Sequence, residues 1–250
     1  TDARDGAVAL PARGASIEVQ LGYAGQPLTR LGRYTVDEVE LSAPPDSLVI
    51  RGKASDLCGS GKTIRSGSWE FVSVQQIVAQ IAARNGWQAV CPVLSHVDRV
   101  DQYSESDLNF ITRLARLYDC TAKLANGQLL VLPRQAGQSA SGKPLGVVTL
   151  ERSAVSQWQF RLDNKHAHKA VRTRHQDSAS GALQVVELNN SEVPPGDQPV
   201  HTDRHVYPNR NAAEQAAKAR LASFNRATAS VRLDMPGRND LFAERSMQAT

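Results

Sequence analysis

The chain has 250 residues, 41% of them hydrophobic and 22% charged, a composition ordinary for a globular protein and long enough for one large domain or two small ones. Its net charge of +4 is spread without a basic tail, too mild by itself to argue for DNA binding, and with only 5% of residues aromatic a base-stacking surface for single strands is not favoured. No stretch reads as a signal peptide and no apolar run approaches the ~20 residues that span a bilayer, so no membrane partner is expected.

The opening Asp2–Gly6 reads as a turn between strands, and Glu244–Thr250 carries no cap or tail, so a fragment is expected. From Ser16, Ile17, Val19 and Leu21 alternate with Glu18 and Gln20, the pattern of a half-buried strand. After a turn at Ala24–Pro27, a second strand is predicted from Arg33 to Leu41. The step from Val36 to Val39 breaks its alternation and predicts a bulge near Asp37–Glu38. Pro44-Pro45-Asp46 makes the next turn, and Leu48–Ala54 reads as a third strand of an antiparallel meander.

Helical periodicity then appears. Val74, Ile77, Val78, Ile81 and Ala82 share one face, with Ser73 as N-cap and Gly86 as the stop. Pro92–Tyr103 reads as a connector to a second helix, Ser104–Tyr118. Its stripe is Leu108, Ile111, Leu114, Ala115 and Tyr118, widened by Phe110 and Leu117, so it is expected to pack on more than one side. Ser104 is its predicted N-cap, and Glu105 and Asp107 are placed in its first turn, where the helix dipole favours negative charge. Thr121–Leu124 and Gln128–Leu132 flank Asn126-Gly127, a hairpin signal of type I′.

Gln135–Gly146 reads as a Gly/Ser linker. Strands resume at Val147–Leu150, Gln157–Leu162, Ala170–His175 and Leu183–Leu188, the last two joined by a turn at Ser180-Gly181. Asn189–Asp203, with Pro194-Pro195-Gly196, reads as loop. Asn211–Arg226 is predicted as an alanine-rich helix capped by Asn211 with Glu214 at the capping-box position, its alanines lying close on a sheet and Leu221 and Phe224 anchoring it. A last strand is predicted at Ser230–Met235. Both arms therefore read as antiparallel β, with a small helical unit between them.

No chemistry-bearing motif survives inspection. Cys58-Gly59-Ser60-Gly61-Lys62-Thr63 ends like a phosphate-binding loop, but the position that needs the first glycine is Asp56, and no helical periodicity follows Thr63. His166 and His168 could share a strand face, yet no third ligand lies at metal-site spacing, so a solvated strand edge is expected. His201 and His205 fall in the proline-bounded loop. Cys58, Cys91 and Cys120 are far apart, odd in number and without CxxC spacing, as buried thiols of a reducing compartment would be. No catalytic, cofactor-binding or metal-ligating residue is expected, no cofactor is implied, and the chain is not expected to be an enzyme.

The run Asp37–Asp56, Ser68-Trp69, the Ile77–Arg84 helix, Glu105–Ala115, Asp5-Gly6, the Gly137–Gly142 linker and the late alanine-rich helix together resemble the late control protein D family of contractile-tailed phages. The glycine-rich turn at Cys58–Gly61 departs from that pattern. The resemblance implies a structural baseplate hub, related to the hub region of type VI secretion spike proteins, in a phage, a prophage or a phage-derived particle. It implies an α+β fold of two antiparallel, tail-tube-like β-barrel domains (1–68, expected to lack its N-terminal part, and 147–250, with one helix and expected to lack its C-terminal part), a small α/β domain between them (69–134) and a linker (135–146). It further implies a homotrimer whose partners are the tail tube protein and the central spike protein, with no membrane and no specific nucleic acid. The chain would be made in the bacterial host cytoplasm and reside in the virion tail. The alternatives are the hub of a type VI secretion-like spike, or a baseplate-associated peptidoglycan hydrolase.

Overall fold

The computed structural model describes residues 10–12, 14–53, 60–125, 127–139, 141–177, 179–193, 196, 198–241 and 243–250. The expected turn at Asp2–Gly6, residues Asp56, Cys58 and Gly59, Asn126 of the hairpin turn and Pro194-Pro195 lie outside them. The fold is α+β and mostly strand. Its described sheets have two or three strands each, and none closes into a barrel.

Three strands form the first sheet: β1 (Ser16–Leu21), β2 (Thr29–Ser42) and β3 (Ser47–Lys53), antiparallel in the order β1-β2-β3. The register of β2 on β3 slips between Val36 and Glu38, so the bulge falls where the broken alternation placed it. One face of this sheet carries the Val39–Ile50 and Leu41–Leu48 pairs, while Glu38 and Glu40 meet Arg51 at 2.8 and 3.1 Å on the other.

The middle of the chain holds the main core. Strand β4 (Ile64–Ser73) leads into α1 (Val74–Arg84), followed by β5 (Gln88–Val90), β6 (His96–Ser106) and α2 (Asp107–Leu117), and the hairpin β7 (Cys120–Ala125) and β8 (Gln128–Pro133) completes the unit. Ser73 is the N-cap of α1, as expected, and closes a full capping box with Gln76. The buried faces of α1 and α2 pack with Trp69, Cys91, Val97, Cys120, Leu129 and Val131. Trp69 stacks on Phe110 with ring centroids 4.7 Å apart and donates its indole N–H to Gln80 Oε1 at 2.7 Å.

Two expectations fail here. The connector Pro92–Tyr103 is largely β6, which pairs antiparallel with β4, itself unforeseen. Alternation in β6 is disguised because a polar residue, Gln102, faces the interior, and because the register slips opposite Arg65–Gly67 where Ser104 takes φ 46°. The N-cap of α2 is therefore Ser106, whose hydroxyl accepts from Asn109 N at 3.2 Å, and not Ser104.

Beyond β8, residues 135–139 and 141–146 are tied by hydrogen bonds, with Ser139 N donating to Lys143 O and Leu145 N to Gly137 O, both at 2.8 Å. The last arm comprises β9 (Val147–Leu150), β10 (Gln157–Leu162), β11 (Ala170–Gln176), β12 (Leu183–Asn189), β13 (Val200–Tyr207), α3 (Arg210–Ala227), β14 (Ala229–Asp234) and β15 (Ser246–Ala249). It is not purely antiparallel: β13 runs parallel to β11, and β15 parallel to β9. The predicted loop 189–203 thus ends inside β13, a strand whose polar residues (Thr202, Asp203, Arg204) hid its pairing. Ala213, Ala216, Ala217 and Ala219 of α3 are buried, as their small size suggests. Its cap is Asn209, whose side-chain oxygen accepts from Ala212 N at 2.7 Å, rather than Asn211; Glu214 pairs with Arg210 instead of closing a capping box.

Candidate assembly surface

The motifs that carry chemistry in other proteins have structural jobs here. Ser60–Lys62 forms a short 3-10 turn followed by β4, so no helix N-terminus stands behind Lys62 to receive a phosphate. Gly61 is glycine because a Cβ at that position would overlap the Trp87 ring.

Asp107 is the most committed carboxylate, and it is not a helix-end ornament. Its side chain is wholly buried, and it accepts from Arg84 Nε at 2.8 Å, Arg84 Nη2, Asn85 Nδ2 at 2.7 Å and Gln102 Nε2 at 2.9 Å. It ties the end of α1 to β6 and to the start of α2. Glu105, expected beside it in the helix, lies on β6 and accepts from Arg113 Nη2 at 2.6 Å.

The histidines do not converge on a metal. His166 sits in a 3-10 turn (Asn164–His166), while His168 stacks on Phe224 at 4.2 Å with the His201 ring edge-on at 5.6 Å. His168 is therefore half-buried against an aromatic ring, not on a solvated edge. His205, on β13, meets Tyr207 edge-on at 4.6 Å. Burial and the neighbouring Arg220 hold the His201 pKa below its ordinary value. Among the described residues, no group of three or more His, Cys, Asp or Glu could hold a metal ion, and no helix is long and apolar enough to cross a membrane.

What the structure leaves open is apolar surface on strands. β10 and β14 form a two-stranded antiparallel ribbon in the register Trp158–Leu233, Phe160–Val231 and Leu162–Ala229. Directly opposed residues share a face, so this face is entirely apolar, whereas Gln157, Gln159, Arg161, Ser230, Arg232 and Asp234 occupy the reverse. Trp158 is 58% exposed, Phe160 54%, Leu162 70% and Val231 59%. Neither outer edge of the ribbon pairs with another described strand. The first sheet is similarly bare, with Val19, Leu21, Leu31, Leu41 and Ile50 exposed, and the middle unit presents Ile64, Phe71, Leu94 and Tyr103. Phe71 holds φ 52°, a strained backbone for a bulky side chain.

The alternation of Trp158, Phe160 and Leu162 was readable as a one-faced strand, but that this face stays exposed among the described residues was not. Large apolar faces and open strand edges of this kind mark surfaces that other chains cover.

The chain belongs to the phage tail baseplate hub family, whose model (phage tail baseplate hub, GPD) matches residues 3–249. It is 38% identical over 170 residues to the probable baseplate hub protein of Escherichia phage P2, covering 67% of this chain and 44% of that protein. The corresponding protein of Escherichia phage 186 is 38% identical over 173 residues, covering 68% and 44%. The chain thus spans less than half the length of these curated relatives. In fold it is similar to the 43 kDa tail protein of prophage MuSo2 from Shewanella oneidensis, with a TM-score of 0.64, 12% identity and coverage of 94% of this chain and 78% of that one. A tail protein from Neisseria meningitidis MC58 matches at a TM-score of 0.64 with 13% identity, covering 88% and 70%.

Proposed function

We propose that this chain is the part of a baseplate hub that builds a ring in a phage tail, joining the tail tube to the central spike. Its copies associate as a homotrimer, and its role is structural rather than catalytic. In this reading, residues 1–68 and 147–250 are two tail-tube-like domains whose open sheets become barrel-like only within the ring. Residues 69–134 are the small domain inserted between them, and 135–146 the connection. The observation that carries the reading is the bare β10–β14 ribbon, with Trp158, Phe160, Leu162 and Val231 all more than half exposed in a chain of this family.

The distribution of burial supports it. Burying apolar area contributes about 25 cal/mol per Å², and the largest cluster of buried apolar side chains lies between Trp69 and Val131. Both arms, and the middle unit at Phe71, Leu94 and Tyr103, keep large apolar side chains in solvent, a cost that association would remove. The test is complementation of a tail-defective phage. Phe160→Asp is expected to abolish tail formation while the chain still folds; tails forming normally with this variant would contradict the reading.

A further inference from the structure

A cleft of about 470 Å³ lies between α2 and α3, where the middle unit meets the last arm. Five of its lining residues are arginines (Arg113, Arg116, Arg134, Arg220 and Arg226) and only two, Asp119 and Asp203, are acidic. Arg113 and Arg116 lie three residues apart on the face of α2 turned away from the core. Ala216, Ala219 and Ser223 of α3 line the opposite wall, and their small side chains leave the space unfilled.

The carboxylates nearby do not balance these cations. Arg226 forms a paired contact with Asp119, Arg220 Nη2 lies 3.7 Å from Asp203 Oδ2, and Arg113 turns to Glu105. Among the described residues no carboxylate pairs with Arg116 or Arg134; Arg134 Nε reaches only the Cys120 carbonyl, at 3.4 Å. The C-terminal end of α2 favours a cation at Arg116 by itself, but it does not account for Arg134 or for the excess over the whole cleft. Guanidinium groups present paired N–H donors matched to phosphate and carboxylate oxygens, and a concave surface of one sign concentrates ions of the other.

We propose that this cleft is an oxyanion-binding site that takes a ligand carrying at least two neighbouring acid groups, held by Arg116 and Arg134 with the remaining arginines supplying the field. The acid groups come either from a phosphorylated small molecule or from acidic side chains of a partner protein. Calorimetric titration of the chain at low ionic strength with pyrophosphate, and separately with a tetraglutamate peptide, tests this. Saturable one-to-one binding is expected, weakened at least tenfold by the double variant Arg116→Gln/Arg134→Gln and unchanged by Arg161→Gln/Arg232→Gln on the ribbon. Both cleft residues are exposed, so the thermal midpoint of the double variant should match the parent and exclude misfolding as the cause. Tighter binding of pyrophosphate assigns a phosphorylated ligand, and tighter binding of the peptide assigns a protein-borne one. No saturable binding of either probe, or equal weakening by the two double variants, overturns the proposal.

Discussion

Replacing Asp107 by alanine removes the one acceptor that Arg84, Asn85 and Gln102 share, and the loss can be bounded contact by contact. Removing one partner of a buried ion pair costs about 3–5 kcal/mol, because the other charge is left without compensation. Here two cations lose the carboxylate, Arg84 and, at 3.6 Å, Arg65, but their side chains are 33% and 37% exposed and can recover water, which lowers that figure. Asn85 Nδ2 keeps the Ile81 carbonyl at 2.8 Å, and Gln102 Nε2 keeps the Glu105 carbonyl at 2.9 Å, so neither amide is fully orphaned. Against this, the junction of α1, β6 and α2 loses its common tie. The expected net loss is about 3 kcal/mol, a fall of roughly 6–12 °C in thermal midpoint for a chain of this size. Asp107→Asn should lose nearly as much, since its amide would place two donors against a ring of donors. The exposed Asp101→Ala, by contrast, should change stability by less than about 0.5 kcal/mol. Thermal unfolding followed by circular dichroism reads all three. A loss below about 1 kcal/mol for Asp107→Ala would refute the view that this carboxylate ties the middle unit together.

Two further variants probe the phosphate-loop look-alike: Gly61→Ala should cost about 1–3 kcal/mol in thermal or urea unfolding because of the Trp87 ring, whereas Lys62→Ala should leave both stability and assembly unchanged. ATP binding that disappears with Lys62→Ala would overturn the structural reading of that turn. Burial pushes the Cys120 thiol up to about 12 from an ordinary 9.0. The folded chain therefore keeps its proton where the unfolded chain has lost it; this contribution to stability is intact below pH 9.0 and declines as pH rises toward 12. Cys120 should accordingly resist iodoacetamide at pH 8 in the folded chain and react once unfolded, as peptide mapping would show; rapid labelling of the native chain would contradict its burial.

Periodicity made α1 and α2 legible because their apolar faces point into one core: Ile77, Val78 and Ile81 from one helix, Phe110, Ile111 and Leu114 from the other. Leu117, which widened the α2 stripe, packs against Ala213, Ala216 and Tyr207, so α2 does serve two sides. The β7–β8 hairpin was equally readable, with Ala125 paired to Gln128. The strands at Val147–Leu150, Gln157–Leu162, Ala170–His175 and Ser230–Met235 were readable too, but their distant or parallel pairings were not, and neither were β6 and β15 as strands. β15 pairs with β9 a hundred residues earlier in the chain, and β6 hides its alternation by turning Gln102 inward to serve Asp107. Neither arrangement leaves a local signature. The same holds for the candidate surfaces: the ribbon pattern is written in Trp158, Phe160 and Leu162, but whether such a face meets a core or a partner depends on contacts far along the chain. Likewise Arg134 is returned to the end of α2, near Arg116, by the β7–β8 hairpin, where its N–H donates to Asp119 O at 3.0 Å, and α3 supplies the rest of the cleft lining.

In the proposed function, the β10–β14 ribbon is a face that other copies cover. Light scattering on the purified chain, compared with Trp158→Ser/Phe160→Ser, measures this most directly. The parent is expected to show a mass three times the 27.1 kDa of one chain, and the variant, equally folded by circular dichroism, a mass of one. A monodisperse parent of 27.1 kDa at every concentration, or a trimer undiminished by the two substitutions, would contradict it.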